Sequence, residues 1–327
     1  MKKKPIFYLM CGLPGSGKST FAKELKAKMD RIKVLNETVL LSSDELRKEM
    51  FGDENDMEHN GEVFNEMRRR TKENLKAGNN VIYDATNISS KRRTNFLKHE
   101  LRGIECEKVC VYMPTIWYEC IENDKKRDRQ VGREVIIRMR NQLDIPMYNE
   151  GWDYIKIHKQ EFIYRGFMME NFDFDTFEEY RKFLASDSLL FRCVGLNQNN
   201  PHHDFALDEH MYKTYRYLVG CGANYQLRLA GLLHDIGKPY CQTTDENGIS
   251  HYSCHERISA QLALNFLIER GNIPDRVAIA VATLIQNHMK FFNEETLKSL
   301  EEFLGEYDFF LLSLLHDADI KASKVVR

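Results

Sequence analysis

Two short stretches of this chain carry residues whose types and spacing could do chemistry. The first, GLPGSGKS at Gly12–Ser19, fits the pattern G-x-x-x-x-G-K-[ST] throughout. That pattern builds a phosphate-binding turn for physical reasons. Glycines let backbone N–H groups converge on phosphate oxygens, the lysine reaches the β- and γ-phosphates, and the serine hydroxyl can ligate Mg²⁺. Gly12, Gly15, Ser16, Gly17, Lys18, Ser19 and Thr20 are therefore the expected nucleotide-binding residues, with Lys18 also catalytic and Ser19 also a metal ligand. The implied cofactor is ATP, or another nucleoside triphosphate, with Mg²⁺. Further on, LLSSDELRKEM places Asp44 at a strand end and Arg47 one helical turn later on the same face. A carboxylate there can take a proton from an attacking hydroxyl, and an arginine beside it can grip a phosphate. Asp44 suits a helix N-cap equally well.

The second stretch is LAGLLHDIGKPY, Leu229–Tyr240, in which an apolar helix delivers His234 and Asp235 side by side before Gly237 and Pro239 end it. Eight of the eleven histidines lie beyond residue 200, on successive apolar-striped segments. Neutral imidazoles with carboxylates suit Mn, Fe, Co, Ni or Zn, and mixed nitrogen and oxygen sets are typical of hydrolytic metal centres. Lys238 can meet a substrate phosphate or cap the helix. His251, four residues before His255, is placed to support a ligand, whereas His202, His203 and His316 read as structural or substrate-side.

These groups need elements to hold them. In the first half, PIFYLMCG, VLLSSD (39–44), NVIYDAT (80–86) and CEKVCVYM (106–113) read as strands. They alternate with helices from about Lys18 to Asp30, over 60–78 and over 89–101. This rhythm predicts an α/β domain with a parallel sheet and helices on both faces. From about Ser188 the periodicity is helical, which predicts an all-α second domain. The expected boundaries are 1–165 for the first domain, 166–190 for an acidic, aromatic-rich linker and 191–327 for the second. Residues 1–165 hold 32 Lys and Arg against 26 Asp and Glu, whereas residues 166–327 hold 15 against 23. A modestly basic first half is compatible with a polyanionic substrate without requiring one. The eight cysteines show no CxxC pair and read as reduced thiols, and no apolar run reaches the roughly 20 residues a membrane span needs. The basic start and the apolar run after it lead straight into the phosphate turn, so they read as a first strand. The expected setting is cytoplasmic, away from any membrane.

Residues 5 to about 160 resemble the kinase domain of the polynucleotide 5′-kinase family, through GLPGSGKST, SSDELR, VIYDATN and DKKRDRQVGREVI. The resemblance implies that Asp44 is the general base for a 5′-hydroxyl and that Arg47 binds the substrate phosphate. It also implies that Asp84, Thr86 and Asn87 line the acceptor side. Arg127, Arg129 and Arg133 then belong to a lid over the phosphates; Arg127 is the expected catalytic arginine, and the other two bind nucleotide. Related small-molecule kinases share much of this outline. Residues 200–322 are similar to the HD phosphohydrolase superfamily, closest in style to CCA-adding enzymes. Carried over, His210, His234, Asp235 and Asp319 are metal ligands, with Asp317 a rival to Asp319, and His255 and His288 hold a second ion. Asp235 is then also catalytic, and one or two divalent transition metals are expected. CHE stands where the family usually has Gly-His-Glu. Asp173 and Asp175 imitate an aspartyl phosphatase motif, but Thr176 comes one residue too early and a helix follows. The pairing resembles bifunctional enzymes that heal RNA or DNA ends, phosphorylating a 5′-hydroxyl and removing a 2′,3′-cyclic, 2′ or 3′ phosphate. Nucleic acid ends, and a separate ligase to seal them, are the implied partners. The alternative is a small-molecule or nucleoside kinase joined to an HD nucleotidase or phosphodiesterase.

Overall fold

Strands β1 (Ile6–Cys11), β2 (Thr38–Ser42), β3 (Asn80–Asp84), β4 (Glu107–Tyr112) and β5 (Tyr154–Ile157) are all parallel, in the order β2-β3-β1-β4-β5. In the computed structural model the described residues are 4–32, 36–158, 172–270, 273–291 and 293–324, and the chain divides into two units, Met1–Gln160 and Glu161–Arg327. Parallel strands covered on both faces should be apolar throughout, and β3 is buried at all five positions. One face packs Met10, Ile82, Val109 and Val111 against Ala22 of helix α1 (Lys18–Arg31). On the other, Phe7 stacks on Phe96 with ring centroids 5.3 Å apart, and Tyr83 meets Phe96 edge-on. Four strands and the first helix fall where the sequence places them; β5 is an addition.

Helices α2 (Ser43–Phe51), α3 (Asn60–Ala77), α4 (Ser90–Asn95), α5 (Trp117–Lys125) and α6 (Arg133–Gln142) complete the unit. The helix expected over 89–101 is α4 followed by a single π turn, Phe96–Glu100. A buried ion pair fixes α4. Arg93 donates from Nε to Glu150 at 2.8 Å and from Nη2 at 2.6 Å, and also bonds the carbonyls of Asn87 and Ile145. Trp152 Nε1 donates to the same carboxylate. Charge this deeply buried persists only where every lone pair and proton is met.

The second unit is mostly helical: α7 (Phe177–Ser186), α8 (Leu207–Gly220), α9 (Tyr225–Leu233), α10 (His255–Arg270), α11 (Asp275–Asn287), α12 (Glu294–Leu304) and α13 (Glu306–Ser323). A short two-stranded hairpin, β6 (Thr243–Thr244) with β7 (Ser250–His251), is the one departure among the described residues from the helical domain the sequence predicts. The linker expected over 166–190 needs correction. Residues 159–171 lie outside the described residues, but 172–190 are packed into this unit. Phe172, Phe174, Tyr180 and Phe183 are buried, and the Tyr180 hydroxyl donates to Leu232 O at 2.7 Å. Asp173 is exposed and pairs with Arg228 at 2.8 Å. Burial of four aromatic rings outweighs the local acidity that makes the stretch look like a tether.

Replacing Glu150 with alanine strands the Arg93 guanidinium in the core, at an expected loss of about 3–5 kcal/mol. Both tryptophans, Trp117 and Trp152, lie in the first unit, so urea unfolding followed by tryptophan fluorescence reads that unit alone. A loss under about 1 kcal/mol would contradict the account; an Arg93→Met/Glu150→Met double variant should recover most of the deficit.

Candidate functional site

The phosphate turn leaves the C-terminal end of the central strand, where ligands of open α/β sheets gather. Gly12, Gly15 and Gly17 all have positive φ, at 154°, 77° and 89°. Gly15 has a second constraint, because a Cβ there would lie 2.3 Å from the Cys120 carbonyl of α5. Asn123 Nδ2 donates to Gly15 O at 3.0 Å, and Thr115 Oγ1 to Ser16 O at 3.1 Å. The loop is therefore held from behind by side chains that local sequence patterns do not mark. Lys18 is buried and folds back onto Leu13 O at 2.6 Å. Burial pushes its pKa down, with Asp84 pulling the other way.

Asp84 was expected on the acceptor side. It lines the cavity, where its carboxylate accepts from the Ser19 hydroxyl and lies close to Lys18. Burial raises its pKa, and the Ser19 bond and Lys18 partly offset this. Thr86 and Asn87 line the same cavity while bracing the loop: Thr86 O accepts from Gly12 N, and Asn87 Nδ2 donates to Met10 O at 2.7 Å. Asn87 does this at φ 46°, a left-handed conformation that asparagine tolerates.

Asp44 lies within the first turn of α2 and makes no capping bond. Its Oδ1 is instead 2.6 Å from Arg47 Nη1 and 3.0 Å from Arg129 Nη1. Arg47, buried, also donates to Asn60 Oδ1 from Nε and Nη2 at 3.2 and 2.6 Å. Asn60 was not foreseen; it aims the guanidinium from α3, and only proximity in the fold reveals it. These groups, with Thr20, Arg127 and Arg129, line one cavity of about 1120 Å³. Arg133, expected to bind nucleotide, is exposed at the start of α6 and is not among the lining residues.

In the second unit, α8 supplies His210, the end of α9 supplies His234 and Asp235, α10 supplies His255, α11 ends on His288 and α13 supplies Asp319. His210 Nε2 lies 3.2 Å from His234 Nε2, and His255 Nε2 lies 3.3 Å from His288 Nε2. Each Nδ1 faces a backbone carbonyl: Ala322 for His210, Gly231 for His234, Tyr252 for His255 and Ile285 for His288. Such bonds put the Nδ1 proton on the carbonyl side and leave Nε2 as the inward ligand atom. Asp235 Oδ2 is 3.4 and 3.2 Å from His210 and His234, and its Oδ1 is 3.2 Å from His255. That Oδ1 is buried with no hydrogen-bond donor. Two ligand triads, His210–His234–Asp235 and Asp235–His255–His288, thus share one carboxylate, and converging nitrogen lone pairs with an orphaned oxygen fit divalent metal ions.

Asp319 Oδ1 is 3.0 Å from His210 Nε2 and joins the first triad, whereas Asp317 is exposed on α13. Lys238 Nζ is buried 2.7 Å from Asp235 Oδ2. It also donates to Gln198 Oε1 at 2.8 Å and lies 3.3 Å from His203 Nε2. His251 does not support the ligands; it pairs with Asp245 within the hairpin at 3.1 Å. His316 stacks on Phe291, and His202 is exposed. Gly237 has an ordinary φ of −79° and is needed for space, since a Cβ there would meet Ser259 N at 2.5 Å.

A parallel five-stranded sheet carrying this loop, followed by a mostly helical unit carrying this ligand set, defines a P-loop kinase-like domain and an HD domain. Residues 7–146 match the AAA domain family and residues 207–319 the HD domain family. The chain is similar to the CC-adding tRNA nucleotidyltransferase of Thermus thermophilus, 33% identical over 116 residues, which is 35% of this chain and 26% of that protein. It is also similar to Arabidopsis thaliana transcription factor bHLH140, 27% identical over 203 residues, 59% of this chain and 19% of that one. The matches span about a quarter or less of those relatives. A solved Chloroflexus aurantiacus protein described as a candidate kinase is 18% identical, with 48% of this chain and 86% of that one covered at a TM-score of 0.39. Among the described residues no helix is long and apolar enough to cross a membrane.

Without metal, burial pushes His234 toward the neutral form, but Asp235 and Asp319 outweigh it and raise its pKa to about 10. At neutral pH a proton therefore occupies the ligand nitrogen, and an incoming ion must displace it. Metal affinity should fall as pH is lowered from about 10, with proton release on loading visible by calorimetry in buffers of different ionisation enthalpy. Elemental analysis of the reconstituted protein should find two ions per chain, one in His288→Ala and none in Asp235→Ala. Absence of proton release, or an Asp235→Ala protein that keeps its metal, would contradict the shared-carboxylate arrangement.

Proposed function

We propose that this chain heals nucleic acid ends, with RNA as the polymer. The first unit phosphorylates a 5′-hydroxyl with ATP, and the second removes a 2′,3′-cyclic, 2′ or 3′ phosphate in a metal-dependent reaction. The observation that carries this reading is the pairing of Asp44 with buried Arg47 in the same cavity as the phosphate loop. An acceptor that brings both a hydroxyl and a phosphate meets a base and a guanidinium side by side, as a nucleotide end does. The cavity's size supports an acceptor beside the triphosphate, since drug-sized ligands fill roughly 300–1,000 Å³. The name of the Thermus relative, an enzyme acting on tRNA, supports RNA as the polymer.

In the first reaction Lys18 exchanges Leu13 O for phosphate oxygens, and Ser19 with Asp84 would hold the Mg²⁺ that accompanies ATP. Asp44 takes the proton of the 5′-hydroxyl as its oxygen bonds to the γ-phosphorus and the bond to the β-bridging oxygen breaks. Arg47, steadied by Asn60, holds the phosphate next to the acceptor sugar, and Arg127 and Arg129 meet the charge on the transferring group. In the second unit the two triads would hold divalent ions, whose chemistry there would be to activate a water and neutralise phosphoryl oxygens. Lys238, beside Asp235, orients the substrate phosphate.

The test is incubation with ATP, Mg²⁺ or Mn²⁺, and a 5′-hydroxyl oligonucleotide ending in a 2′,3′-cyclic phosphate. Both ends should change. Asp44→Ala should lose only 5′ phosphorylation and Asp235→Ala only 3′-end hydrolysis, each by about 100-fold or more. Turnover of a free nucleoside with neither oligonucleotide end altered would overturn the proposal in favour of a metabolic kinase joined to a nucleotidase. Loss of both activities in either variant would overturn the idea of two separate chemistries.

A further inference from the structure

The segment between α5 and α6, KRDRQVG at positions 126–132, holds two of the lid arginines, Arg127 and Arg129; Arg133 follows at the start of α6. Asp124, only 2% exposed at the end of α5, turns its carboxylate into this segment. Its Oδ2 accepts the backbone N–H of Val131 at 3.0 Å and of Gly132 at 2.9 Å. Its Oδ1 stands 3.6 Å from Arg127 Nη1. One carboxylate thus closes the loop on itself, and Gln130 Nε2 adds a bond to Lys125 O at 3.1 Å. Within the closure Arg127 and Arg129 line the cavity, and Arg129 reaches Asp44; Arg133, just beyond it, is exposed and outside. The preceding residue, Asn123, donates to the phosphate loop at Gly15 O. Consecutive side chains therefore tie the end of α5 to the phosphate loop and to the lid.

From this arrangement we infer that Asp124 is a positioning residue of the phosphoryl-transfer site, setting which lid arginines face the nucleotide. The inference rests on the kinase reading above. Asp124 touches no substrate; it acts through Arg127, Arg129 and the two backbone N–H groups it gathers. A lid without that closure still leaves the phosphate turn intact for ATP, but its arginines lose their aim. A misplacement of about 1 Å is worth about 100-fold in rate.

The experiment uses the full chain with three substitutions. Asp124→Ala should lower kcat for phosphoryl transfer about 100-fold while ATP-analogue affinity stays within about three-fold. Asp124→Asn keeps an oxygen facing both N–H groups and should restore kcat to within about ten-fold of the parent. Val131→Pro removes one donor and spares the carboxylate, so it reads the same closure if the alanine variant does not fold; its kcat should also fall with affinity retained. Limited trypsin digestion gives a second readout. A non-hydrolysable ATP analogue should protect the lid of the parent and of Asp124→Asn, but not of Asp124→Ala or Val131→Pro. Unchanged kcat in the alanine variant, an asparagine variant as impaired as alanine, or affinity falling in step with kcat would each overturn the inference. If the parent phosphorylates no 5′-hydroxyl acceptor, the end-healing reading fails, and acceptor-independent ATP hydrolysis with trypsin protection still decides the role of Asp124.

Discussion

Asp235 carries a carboxylate into an apolar helical bundle, where an unpaired charge is among the most costly things a fold can hold. Lys238 and the imidazoles of His210, His234 and His255 stand around it, and these groups come from three separate stretches of the chain. That requirement orders the second unit. The end of α9 has to meet α8 and α10 closely enough for the rings to reach one carboxylate, and Gly231 and Gly237 provide the clearance. At Gly231 an added Cβ would press on Leu218 of α8, and at Gly237 on the backbone of α10. Packing and chemistry are one constraint here.

The first unit meets the same demand by other means. Its buried carboxylates are answered by Arg93 at Glu150, by Ser19 and Lys18 at Asp84, and by backbone N–H groups at Asp124. The first of these pairs braces the loop that carries Thr86 and Asn87, because Arg93 also holds the Asn87 carbonyl. The second sits at the mouth of the phosphate turn. Each of these three carboxylates is therefore tied to a segment that shapes the cavity. The residues expected to act on substrate, Asp44 and Arg47, pair with each other at its edge.

Much of this was legible in the sequence, for an identifiable reason. The phosphate turn is local, its residues contiguous and its glycines required by backbone conformation, so a pattern of eight residues captures it. The doublet His234–Asp235 is local too, and the remaining ligands follow from family likeness. What stayed hidden depends on contacts between distant residues. Asn60 matters through Arg47, and Asp84 faces Ser19 only because β3 lies beside β1. The stretch 172–190 reads as a tether from its acids, although Thr176 and Glu179 form a capping box that announces α7. His251 lies at helical spacing from His255, yet the hairpin turns it outward to Asp245.

Three of the four ligand imidazoles are anchored by a carbonyl three residues earlier in the chain, Gly231 for His234, Tyr252 for His255 and Ile285 for His288. Their orientation is thus written into single helix ends, before the bundle closes around them. When the helices assemble, the Nε2 atoms are brought to 3.2 Å between His210 and His234 and to 3.3 Å between His255 and His288. An ion that bound these ligands in the folded bundle but not in the unfolded chain would add its binding free energy to the stability of the unit, so one cluster would serve the fold as well as the chemistry.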